Sequence, residues 1–127
     1  MNVQAWYRGL SMSFALTAML AGCAGAGSYS PLLNAEPEMG SVLKRPPRTL
    51  RLFFDALPDV SRSSLTLRGP DGEYALIGLH TMAADDLMVE IENPSIPEGE
   101  YVVEWTTVVG DDPAEYSGSV QFSVQRE

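Results

Sequence analysis

The chain has 127 residues, with 17 Asp and Glu against 8 Lys and Arg, one Cys and one His, and a net charge of −9. The length suits one domain with a core large enough to fold without covalent staples. The acidity argues against nucleic acid as a partner, and a single Cys allows neither an internal disulfide nor a cysteine-based zinc site.

Residues 1–22 contain no Asp or Glu, and Arg8 is their only charged side chain. Residues 11–21 (SMSFALTAMLA) are apolar and small. A run of that length suits the hydrophobic part of a signal peptide and is too short to span a bilayer. It leads into Leu20-Ala21-Gly22-Cys23, which resembles the lipobox of bacterial lipoproteins. The resemblance implies that Cys23 is lipidated and becomes the first residue of the mature chain, so the membrane link is an anchor and not a span. Residue 24 is Ala, not Asp; by resemblance to Gram-negative lipoprotein sorting, this implies the outer membrane, facing the periplasm. The expected organisation is a signal peptide over residues 1–22, a lipidated Cys and flexible tether over 23–30 (CAGAGSYS), and a β domain over 31–127.

From residue 49 onward, short alternating runs are separated by turn residues. Residues 49–55 (TLRLFFD) put Leu50, Leu52 and Phe54 on one face. Residues 64–68 point Leu65 and Leu67 inward, residues 73–79 follow, and residues 87–91 point Leu87, Val89 and Ile91 inward. Residues 101–109 align Tyr101, Val103, Trp105, Thr107 and Val109, and residues 119–125 align Val120, Phe122 and Val124. Period-two patterning marks half-buried strands. Turn chemistry interrupts it at Gly69-Pro70-Asp71-Gly72, Asn93-Pro94 and Pro97-Glu98-Gly99. No run of helical period can supply a crossover, so a parallel α/β sheet is disfavoured. With a short first strand at Val42-Leu43, joined by Leu32-Leu33, the count is about seven. The expected fold is all-β, an Ig-like antiparallel β-sandwich with Trp105 packed between the sheets.

Three segments together resemble the CopC-like copper-resistance domain. The first is residues 36–43 (EPEMGSVL) leading to Pro47 and residues 50–54 (LRLFF). The second is residues 65–72 (LTLRGPDG). The third is residues 96–105 (IPEGEYVVEW) followed by residues 118–124 (GSVQFSV). The resemblance covers nearly all of the mature chain and implies copper binding and copper homeostasis, with a CopD-like membrane protein or another periplasmic protein as partner. No membrane domain follows Glu127, so a CopD-like partner is expected as a separate chain. In that family Cu(II) is held by an N-terminal His with its free amine, and by an Asp and a His in the loop before the last strand. Carried over by position, the Asp is Asp111. The N-terminal His falls at Tyr29, and Asp112 and Pro113 occupy the place of the loop His.

The stretch 105–118 (WTTVVGDDPAEYSG) therefore sits where the copper loop sits, without its imidazole. Copper(II) favours imidazole and amine nitrogen, and copper(I) favours sulfur; Asp111, Asp112 and Glu115 offer only oxygen. The same residues also read as a solvated turn between strands. His80 is the only imidazole, and Leu79-His80-Thr81-Met82 puts His80 and Met82 on one side if the strand continues. His-x-Met resembles a soft copper(I) half-site that Met39 or Met88 can complete; the other reading is a surface or hydrogen-bonded His. The candidate metal residues are Asp111, His80 and Met82. No Ser/His/Asp set, activated Cys or glycine-rich phosphate loop is present, so an enzyme is not expected. The competing expectation is an Ig-like protein–protein interaction module at the outer membrane that binds no metal.

Overall fold

A computed structural model of the protein describes residues 29–126. The expected signal peptide over residues 1–22 and the expected lipidation site Cys23 lie outside the described residues. Two sheets face each other. One has four strands in the order β1 (Leu32–Glu36), β3 (Thr49–Phe54), β7 (Asp86–Ile91), β6 (Leu76–His80). The other has five, in the order β2 (Ser41–Leu43), β9 (Tyr116–Val124), β8 (Gly99–Thr107), β4 (Ser64–Gly69), β5 (Gly72–Tyr74). The all-β sandwich read from the sequence is the observed fold.

Alternation explains the layering. Along β3, Leu50, Leu52 and Phe54 are buried, while Thr49, Arg51 and Phe53 lie on the outer face. Tyr101, Val103, Trp105 and Thr107 are buried along β8, and Val120, Phe122 and Val124 along β9. Phe54 meets Trp105 edge-on, with ring centroids 5.5 Å apart, so the two sheets are joined through their largest side chains. Tyr101 stacks on Phe122 within the larger sheet at 5.3 Å. Burying each such side chain contributes roughly 1.5–3 kcal/mol.

The described residues form nine strands, not seven. The run 73–79 is two strands. It breaks at Ala75, whose carbonyl accepts from Glu92 N at 3.0 Å, and its halves join different sheets as β5 and β6. The first strand is likewise two: β1 pairs with β3, and β2 pairs with β9. The β2–β9 pair is parallel, a departure from the all-antiparallel expectation. Strand β8 ends at Thr107, and Val109 continues only as an isolated bridge to Pro58.

The register sets two ends of the sandwich. Leu32 lies opposite Phe54, Phe53 opposite Asp86, and Thr107 opposite Tyr116. Connections 55–63, 81–85 and 108–115 therefore share one end, where the chain enters at Tyr29. The links from β2 to β3 and from β7 to β8, with Arg126, lie at the other.

Candidate functional site

The first candidate is the loop from β8 to β9. Gly110 turns the chain with φ +58, a conformation that favours a residue without Cβ. Its N–H donates to Leu57 O at 2.9 Å, and Asp59 N donates to Val108 O at 2.8 Å, so two connections brace each other. Beyond the turn, Asp112 accepts from Ala114 N at 2.9 Å and from the Tyr116 hydroxyl at 2.6 Å. The Tyr116 hydrogen bond, then that from Ala114, holds the Asp112 carboxyl below its usual range. The same bond to Asp112 raises the Tyr116 phenol.

Tyr29 completes the cluster from the other side. Its ring stands edge-on to Tyr116, centroids 5.3 Å apart and planes at 85°. Its hydroxyl donates to the Asp55 carboxylate. That bond, with a smaller contribution from desolvation, pushes the Tyr29 phenol up to about 12. Tyr29, expected at the place of the family's N-terminal His, thus contacts Tyr116 of the stretch expected to hold the copper loop. What converges is two phenols and two carboxylates, each phenol donating to one carboxylate. Asp111 is exposed beside them. Among the described residues no group of three or more His, Cys, Asp or Glu side chains is placed to hold a metal ion. Nothing in the sequence pairs Tyr29 with Asp55 across 26 residues; the spacing Asp112-x-x-x-Tyr116 in a turn was the one readable hint.

The second candidate is the β6 edge. Gly78, at φ +74, allows an irregularity in the β6–β7 ladder between Ile77 and His80. The kink brings His80 Nδ1 onto the Gly78 carbonyl two residues back. Strand β6 ends at His80, so the expected strand continuation to Met82 is absent. The chain instead turns, and Met82 Sδ still comes to 3.1 Å from His80 Nε2. Met88 lies directly across from His80 in the register, which puts it on the same face of the sheet. Met39 is remote from this edge in the fold, lying before β2 and 65% exposed.

The protonation of His80 follows from its partners. Gly78 O accepts only, so Nδ1 carries the proton. In a neutral ring Nε2 is then a bare lone pair. It faces a thioether sulfur, which is also an acceptor. The two donor atoms thus stand side by side at the β6 edge. A His whose Nδ1–H is held by a backbone carbonyl is also the arrangement that orients Nε2 as a metal ligand.

Asp86 fixes the loop that carries Met82. It is fully buried, accepting from Arg51 Nε at 2.7 Å and from Met82 N at 2.9 Å. The Arg51 guanidinium also lies 4.6 Å from the Phe53 ring centroid. Asp86, the first residue of β7, was not among the residues picked out from the sequence, because nothing there marks it as buried.

A family model of the CopC domain matches residues 32–125. Among solved structures, the chain is similar to CopC from Methylosinus trichosporium OB3b. The TM-score is 0.67 at 22% identity, covering 77% of this chain and 95% of that one. It is also similar to PcoC, a methionine-rich copper resistance protein from Escherichia coli. There the TM-score is 0.67 at 21% identity, covering 77% of this chain and all of that one. A comparison with curated proteins finds no match. With nine strands in two sheets among the described residues and a family match over most of its length, the chain belongs to the CopC domain family.

Proposed function

We propose that the protein is a periplasm-facing copper-handling member of the CopC family, lipidated at Cys23 and anchored at the outer membrane, that carries copper as Cu(I) and lacks a tight Cu(II) site. One observation carries the choice of oxidation state: His80 Nε2 faces Met82 Sδ at 3.1 Å while Nδ1 is held by Gly78 O. The His80 imidazole and the Met82 sulfur are soft donors that suit Cu(I), and Met88, opposite His80 in the register, stands on the same face. The loop end has the opposite character. Asp112, Asp55, Tyr29 and Tyr116 supply only oxygen and bind one another, which does not fit the nitrogen-rich tetragonal demands of Cu(II).

X-ray absorption of the Cu(I)-loaded protein tests the ligand set. It should show sulfur and imidazole scattering, and an oxygen-only shell would contradict the assignment. The anchor has its own test. The Cys23→Ser protein should move to the soluble periplasmic fraction, and its retention on the membrane would contradict lipidation. The competing reading is an interaction module without metal. It draws support from the absence, among the described residues, of any His/Cys/Asp/Glu group placed for a metal.

A further inference from the structure

The end of the sandwich opposite Tyr29 carries a groove of about 510 Å³ lined by Arg45, Pro46, Arg48, Pro94, Ser95 and Arg126. Three guanidinium groups on one groove are unexpected in a chain with 17 acids and 8 bases. None of the lining residues is acidic. Neither Arg45 nor Arg48 forms an ion pair among the described residues. Arg126 donates one bond, to Ile96 O at 3.3 Å, which leaves most of its five N–H groups available.

The groove is built by the sequence Arg45-Pro46-Pro47-Arg48. Two prolines fix φ and favour the three-residue turn of polyproline II, which puts residues i and i+3 on one side. Both arginines indeed line the same groove. The segment is tied at each end: Gln125 N donates to Leu43 O at 2.8 Å, and Ile91 N donates to Arg48 O at 3.0 Å. The backbone carrying the two arginines is therefore held by both sheets, so less freedom is lost when a ligand binds.

We propose that this groove docks an acidic segment of a partner protein. Guanidinium forks match carboxylates two N–H groups at a time. The groove's volume exceeds what one small anion fills, and Pro46 and Pro94 offer apolar walls to a peptide chain. The charge contrast is local: exposed Glu92 and Glu98 share the groove's end of the sandwich, but neither lines the groove, while the entry end carries exposed Asp55, Asp59, Asp85, Asp111, Asp112 and Glu115 with no comparable set of arginines. Glu90 and Glu92 line the neighbouring groove beyond Arg48 and bound the site on that side.

The test is fluorescence anisotropy of a labelled hexaglutamate peptide with the purified full-length protein at low ionic strength. The peptide should bind, and binding should weaken as salt rises. Arg45→Ala and Arg48→Ala should each weaken it about tenfold, in line with losing a charge-assisted hydrogen bond. Arg62→Ala removes the same charge at the other end and should leave binding unchanged. Equal loss in all three variants would reduce the effect to net charge and overturn the proposal. So would full displacement by millimolar inorganic phosphate, which marks a small-anion site, or binding to phosphatidylglycerol vesicles with none to the peptide. Circular dichroism of the variants separates lost binding from lost fold. Copper binding is not read in any arm, so the outcome is independent of the Cu(I) assignment.

Discussion

The loop end and the β6 edge differ in how their polar atoms are used. At the loop end each donor has an acceptor: Tyr29 gives to Asp55, and Tyr116 and Ala114 N give to Asp112. At the β6 edge two acceptors face each other, the His80 nitrogen and the Met82 sulfur. The first region offers only oxygen, already engaged in hydrogen bonds, while the second sets an imidazole nitrogen and a thioether sulfur side by side. The position a family uses for its ligand is therefore weaker evidence than the bonds its residues make in this chain.

Both regions stand on one core, and the largest expected effect strikes both. Trp105 is 3% exposed and joins the sheets through Phe54. Trp105→Ala should cost about 3–5 kcal/mol, much of a small domain's stability. Chemical denaturation measures it. An unchanged midpoint would mean that the two regions do not share this support.

The next change separates them. Asp86→Ala removes a fully buried carboxylate and its bonds to Arg51 and Met82 N. Loss of these charge-assisted bonds should cost about 2–3 kcal/mol and loosen Met82. Cu(I) affinity should fall, while the phenol titration at the loop end stays as in wild type. Denaturation and Cu(I) competition on the same sample check both halves.

The smallest effect is confined to the loop end. Asp55→Asn should lower the Tyr29 phenol from about 12 toward the usual 10, read by phenolate absorbance, with no change in Cu(I) binding. The signs define a pH window. Asp112 is depressed, so its contribution is present above its unfolded pKa and is lost as pH falls through the lower folded value. Tyr29 and Tyr116 are raised, so theirs is present below the unfolded value near 10 and is lost as pH rises through the folded values, about 12 for Tyr29. Between these limits the cluster should not respond to pH. A transition near neutral pH in the phenol signal would contradict the network.

Much of this architecture was legible beforehand because burial leaves a period in the sequence. Leu50-x-Leu52-x-Phe54 and Tyr101-x-Val103-x-Trp105 show their inward faces directly. The sheet switch at Ala75 was not legible: it depends on a backbone bond from Glu92, and the run 73–79 carries no turn residue at that point. At the sites, His80 and Met82 stood out by composition, and Met88 was one of two candidates until the register placed it opposite His80. The phenol–carboxylate cluster was hidden because Tyr29 and Asp55 meet only through the β1–β3 pairing.

The most direct measurement is a pair of chelator competition titrations, one for Cu(I) and one for Cu(II), on wild type, Asp111→Ala and His80→Ala. The account predicts Cu(I) binding in wild type and Asp111→Ala, its loss in His80→Ala, and no tight Cu(II) binding in any of the three. Tight Cu(II) binding that disappears in Asp111→Ala would show a working site at the loop end. That result, or Cu(I) binding indifferent to His80, would contradict the division of chemistry between the two regions.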